Sequence, residues 1–186
     1  MKKLILLLTL TICINVANAQ TKLYVHPDAK TYVKNTKTIA ILPLDVQVKL
    51  RPKQLKDFTS EQIIEMGKNE SIDIQRAMYS WFLTRKKRGS LLVGVQNPKR
   101  TNALLKKKGI DIHSYDEYLP SELGEILGVE VIITGSYETS KPMSNGAAIG
   151  LAVLTGGMFA TNSATMNMDF TSTTDDELIV NYLKKI

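Results

Sequence analysis

Lys37–Val46, KTIAILPLDV, decides the fold. From Thr38 to Val46 the run is β-rich and too continuously apolar to be a strand with one wet face. Pro43 interrupts it. A proline cannot donate to a ladder, which puts this position at a strand end, at a bulge or on an unpaired side.

Downstream the apolar spacing changes from strand to helix. Ile74, Ala77, Met78, Trp81 and Phe82 recur at intervals of three and four and make one wide stripe, a helix docked on a core. Leu55, Phe58, Ile63 and Met66 give a separate helical piece upstream, started near Thr59-Ser60 and interrupted at Gly67-Lys68-Asn69. Leu91 to Gln96 reads as a strand. Asn97-Pro98 then supplies an N-cap and a proline for the first turn of a helix carrying Ala103, Leu104 and Leu105. A further short helix with Pro120, Leu123, Ile126 and Leu127 stops at Gly128 and feeds VEVIITGSY, Val129–Tyr137, the most strand-like segment of the chain. Ala164 to Thr173 alternates and Glu177 to Ile186 is again strand-like, with Thr174-Asp175-Asp176 as the turn of an antiparallel hairpin. The expected fold is a single α/β domain: a mixed sheet of about five strands, helical crossovers early, and an antiparallel C-terminal hairpin.

Ahead of this domain, Lys2 and Lys3, the apolar run Leu4–Ile14 and Ala17-Asn18-Ala19 have the three-part form of a secretory leader with a small-x-small cleavage site. The expected boundaries are residues 1–19 as signal peptide, 20–37 as an extended arm with a short strand around Leu23–Val25, and 38–186 as the α/β domain. Removing the leader takes the chain from 186 residues with 24 Lys and Arg against 18 Asp and Glu to 167 residues with 22 against 18, so the net charge falls from +6 to +4. Cys13, the one cysteine, goes with the leader. It follows the bulky Ile12, so lipid attachment is not expected. The processed chain has neither disulfide nor thiolate ligand, and its stability must come from its core. With 44% hydrophobic and 23% charged residues over this length, it is neither a disordered chain nor a multidomain machine.

No catalytic pattern stands out. His26 and His113 lack partners at metal-ligand spacing, and the best cluster, His113 with Asp111, Asp116 and Glu117, reads as a solvated loop. Asp57, Glu61 and Glu65 would share a helix face, but no apolar surroundings raise their pKa. There is no G-x-S-x-G elbow, phosphate loop or dinucleotide fingerprint. No cofactor and no metal is expected, and a hydrolase with an unrecognised carboxylate site is the enzyme alternative.

Two features point to contacts instead. Arg85, Lys86, Lys87 and Arg88, and Lys106, Lys107 and Lys108, are cation runs followed by a glycine, which is first of all how helices stop. They also offer a surface for anionic headgroups or an acidic protein face; export removes nucleic acid as the usual partner. From Lys141 to Asp169 no charged residue intervenes, and GAAIGLAVLTGGMFA, Gly146–Ala160, is the most apolar part of the processed chain. It is too short and too broken by Gly156-Gly157 for a spanning helix. A glycine-rich excursion at the sheet, a protein contact surface and a membrane-inserted hairpin remain open within 145–162, with Ile149, Leu151, Val153, Leu154, Met158 and Phe159 as the contact side chains.

Taken together, KTIAILPLDV at 37–46, YSWFLTRKKRG at 79–89, VGVQNPKRTNALLKKKGI at 93–110 and ELGEILGVEVIITGSY at 122–137 resemble a group of secreted or periplasmic proteins. The group shares the fold of the curli secretion channel subunit, the outer-membrane penicillin-binding-protein activator lipoprotein and the amino-terminal domain of the Tol-Pal translocation protein. The resemblance covers about 100 residues and none of its motifs is catalytic. It implies an envelope assembly or accessory factor acting through an envelope protein partner or self-association, located in the periplasm or outside the cell. Its alternative is a subunit of an oligomeric outer-membrane channel inserting 145–162. The chain departs from the channel and activator proteins in lacking a lipidated cysteine, and it offers one candidate hairpin where a channel subunit uses two.

Overall fold

The computed structural model describes residues 21–140 and 164–185. In chain order its elements are β1 (Thr21–Val25), α1 (Ala29–Asn35), β2 (Thr38–Ile41), β3 (Asp45–Val48), α2 (Ser60–Lys87), β4 (Gly94–Val95), α3 (Pro98–Lys107), α4 (Pro120–Leu127), β5 (Val131–Thr139), β6 (Ala164–Ser172) and β7 (Leu178–Lys185). The strands form one mixed sheet in the order β1-β7-β6-β5-β2-β4, with β3 continuing along β5 beyond the end of β2. Strands β2, β3 and β4 pair in parallel and the β5-β6-β7-β1 side is antiparallel. The expected α/β domain with early helices and a C-terminal hairpin is present. The described residues carry seven strands instead of five because Pro43 splits the first run into β2 and β3, and because Thr21–Val25 pairs along β7.

The sheet is buried on both faces where it is parallel. Ile39, Ile41, Val131 and Ile133 pack with Ile74, Met78 and Phe82 of α2, while Ala40, Leu42 and Ile132 pack with Leu105 of α3 and Leu123 and Leu127 of α4. Two covered faces are the reason the sequence here is continuously apolar. In β6 the alternation returns: Met166 and Met168 join the α2 core, whereas the residue after each of them is polar, and Asn181 Nδ2 donates to Asn167 Oδ1 at 2.7 Å and to Asp169 Oδ1 at 2.6 Å.

Helix ends follow local chemistry. Thr59 and Gln62 form a reciprocal capping box at the start of α2, and Asn97 Oδ1 accepts from Lys99 N–H ahead of Pro98. Each cation run is followed by a glycine of positive φ, Gly89 at 72° and Gly109 at 77°. The expected interruption at Gly67-Lys68-Asn69 does not occur, and α2 runs unbroken for 28 residues. Gly67 is there for close approach: a Cβ on it would lie 2.6 Å from the Val46 carbonyl oxygen of β3. The missing side chain lets the helix lie down on the strand.

Candidate functional site

The Leu42-Pro43-Leu44 break between β2 and β3 is the centre of the site. Leu42 N–H still donates to Ile133 O at 2.9 Å, and the pairing resumes at Asp45, which stands in register with Ser136 of β5. Between them the chain has left the ladder, and its carbonyls need other donors. Gln75 Nε2 supplies Ile41 O at 2.7 Å, Ser71 Oγ supplies Leu44 O at 2.6 Å, and Tyr115 OH supplies Pro43 O at 2.7 Å. Gln75 is fully buried and shares a two-way amide pair with Asn102 of α3, 3.0 Å each way. Two helices and the 111–119 loop are thereby pinned to one interruption.

Opposite the break lies Gly135 of β5, with φ 152°, where a Cβ would collide with the carbonyl oxygen of Asn167 in β6. Its bare backbone and the bent Pro43 segment leave an open groove of about 720 Å³. Ile64, Lys68 and Ser71 of α2 form one wall, and His113, Tyr115, Asp116 and Tyr118 of the loop form the other. Asp45, Thr134, Leu123 and Ile132 close the floor and ends. Ser121 N–H donates to Asp176 Oδ1 at 2.6 Å, so the start of α4, and with it the end of the loop, is tied to the β6–β7 turn.

The groove is mixed in chemistry. Burial pushes the His113 imidazole below its ordinary pKa against the pull of Asp111, with Lys68 and Lys106 also lowering it. It is therefore neutral at pH 7. Burial raises the Tyr115 phenol, which donates and stays protonated. Among the described residues no three His, Cys, Asp or Glu side chains are grouped to hold a metal ion.

Of the residues singled out from the sequence, His113 and Asp116 line the groove, and the basic runs and the 57, 61 and 65 carboxylates lie outside it. Arg85 places its guanidinium 3.6 Å from the Trp81 ring centroid, and Trp81 meets Phe82 edge-on at 4.9 Å, so this cation is partly a packing element. Lys86, Lys87, Arg88, Lys106, Lys107 and Lys108 are exposed. Lys106 acts on His113 at the groove, whereas Arg88 follows the last turn of α2, twenty residues beyond Lys68 and about 30 Å from it at the helical rise. Ile149, Leu151, Val153, Leu154, Met158 and Phe159 fall outside the described residues. Asp57 sits in a 3₁₀ turn ahead of α2, so it does not share a helix face with Glu61 and Glu65, and all three are exposed.

The carboxylate with an unusual environment is Glu70, which sequence reading passed over. It is 4% exposed, neither oxygen has a hydrogen-bond partner, and burial, with a smaller push from Asp73, raises its pKa to about 7. Its signal is positional: Glu70 is one turn before Ile74 on the same buried stripe.

No helix among the described residues is long and apolar enough to cross a membrane. No family model and no curated protein matches the chain. Among solved structures the chain is similar to lipoprotein GNA1162 from Neisseria meningitidis, at 8% identity over 78% of this chain and 76% of that one, with a TM-score of 0.48. It is also similar to the LpoB C-terminal domain from Escherichia coli, at 6% identity over 86% and 93% with a TM-score of 0.40. The PelC dodecamer subunit from Paraburkholderia phytofirmans is similar at 5% identity over 89% and 79%, with a TM-score of 0.37.

Proposed function

We propose that the chain is an exported, non-enzymatic cell-envelope protein that works through protein contacts, as an assembly or accessory factor. The groove at the Pro43 break receives a segment of its partner. The groove carries this reading: it is about 720 Å³, within the range of ligand sites, and is pinned from three sides by side-chain bonds to strand carbonyls. Its lining alternates apolar surface (Ile64, Leu123) with a cation (Lys68) and two carboxylates (Asp45, Asp116), which suits an extended peptide better than a reacting centre. The leader grammar of residues 1–19 supports a periplasmic or extracellular location and a protein partner in place of nucleic acid. The basic helix ends and the 145–162 stretch are secondary contacts in the same proposal.

Lys68→Glu combined with Tyr118→Ala tests it. Both side chains are exposed at the groove, so the fold should keep its stability within about 0.5 kcal/mol. Affinity for the envelope partner, read as recovery by the tagged chain at limiting concentration, should drop about thirtyfold, the effect of losing one contact of hot-spot strength, about 2 kcal/mol. Unchanged recovery would remove the groove from the function.

One observation favours a second reading. β5 and β6 are antiparallel neighbours in register up to Thr139 and Ala164, so the uncharged stretch leaves and re-enters the sheet at one point. That is the connection a membrane-inserted hairpin of a ring-forming subunit requires. In that case the purified processed chain would need detergent or would float with liposomes; a chain that stays soluble and unbound without either excludes it.

A further inference from the structure

We infer that the processed chain pairs with a second copy of itself, edge to edge through β1, across a two-fold axis at Leu23. β1 is the last strand of the sheet on its side and all five of its residues are exposed, Leu23 at 63%, Tyr24 at 45% and Val25 at 50%. Proteins usually guard such an edge with charges, proline, a bulge or a covering element. β1 has one lysine, no proline, an unshifted register with β7, and nothing over it among the described residues.

The direction of its backbone groups follows from the ladder. His26 N–H donates to Ile179 O at 2.8 Å, and bonded and non-bonded pairs alternate along antiparallel strands. Tyr24 and Lys22 therefore turn their N–H and C=O towards β7, while Thr21, Leu23 and Val25 turn theirs away from the sheet. A partner strand must match outward residue to outward residue.

The strand itself is what selects a second copy. Centred on Leu23, a two-fold pairing sets Leu23 against Leu23 and Thr21 against Val25, so all three outward residues of each strand are bonded. Lys22 then lies directly across from Tyr24 on both sides, where its stem and ammonium meet an aromatic ring. Centring on Lys22 would oppose two lysines, and centring on Tyr24 would set Thr21 against Pro27, which cannot donate. The only charge on the strand thus enforces the register that uses the whole strand. This inference does not rest on the groove, which centres on β5 and the Pro43 break, on the far side of β7 from β1.

The test uses the chain expressed with its own leader and purified after export. Sedimentation equilibrium should give twice the chain mass. Leu23→Pro should return the mass to that of one chain with the far-UV circular dichroism unchanged, because the lost N–H faces away from β7, where an edge strand tolerates proline. Leu23→Cys supplies the sole thiol of the processed chain, and bonded antiparallel pairs hold their Cα atoms about 5.5 Å apart, within disulfide reach. Mild oxidation should then link two copies through position 23, whereas Tyr24→Cys, which faces Lys22, should not. This readout stands even if the proline variant fails to fold. A parent chain of single mass overturns the inference and leaves the edge to a strand of another protein. A dimer insensitive to Leu23→Pro whose Leu23→Cys variant also fails to link on oxidation overturns it equally.

Discussion

Gly135→Ala is expected to destabilise the fold by about 3–4 kcal/mol, combining positive-φ strain with overpacking of a fixed neighbour. The added methyl group has nowhere to go. On one side it meets the Asn167 carbonyl, which belongs to the longest strand pairing of the sheet, and on the other it lies 3.0 Å from a methyl of Leu44. Neither is the far end of a flexible chain in open space. For a chain of this size the loss corresponds to a fall of roughly 10 °C in thermal midpoint, a large share of a typical domain's stability. Thermal unfolding followed by circular dichroism reads it. A change below about 1 kcal/mol would mean that β5 and β6 can separate at this point and that the groove floor is not rigid.

Glu70→Gln is expected to do the opposite, and only on one side of the pH scale. The folded chain holds this carboxyl at about 7, against 4.5 for the free group. Between those values the native state binds more protons than the unfolded chain, so stability falls as pH rises through the window. The shift amounts to about 3 kcal/mol, fully lost once the group is ionised above pH 7. Glutamine imitates the protonated acid at every pH. It should match the parent near pH 4 and exceed it by up to about 3 kcal/mol at pH 8, measured as the difference between denaturant midpoints. An equal offset at both pH values would show that the carboxylate finds compensation when charged. Because the comparison is between variant and parent, titrations elsewhere in the molecule cancel.

These two positions also show what a sequence can disclose about this fold. The apolar density of Thr38–Leu42 announced a strand covered on both faces, and the alternation of SATMNMDF announced one covered on a single face; each is a local consequence of burial. Asn97-Pro98 and the cation-then-glycine endings were legible because capping is chemistry within one turn. Gly67 misled because a glycine spared for close approach to Val46 looks in sequence like a glycine that ends a helix. The strand in the N-terminal arm finds its partner about 160 residues away, and Tyr115 bonds a carbonyl 72 residues distant. No local period encodes such pairings. The groove was hidden for the same reason: Lys68, His113 and Thr134 come from a helix, a loop and a strand that only the assembled sheet brings together. Glu70 alone had an unread local signal, its place on the stripe of Ile74 and Met78.

The most direct test of the groove as the partner site is site-specific photo-crosslinking in the envelope of the native host. A photoreactive residue is placed in turn at Lys68 and Tyr118 in the groove and, as controls, at the exposed Lys34 and Lys53 outside it. One discrete adduct with an envelope protein is expected from both groove positions, stronger than from either control. Adducts of equal yield from all four positions, or none from the groove in a chain that is exported and folded, would contradict it.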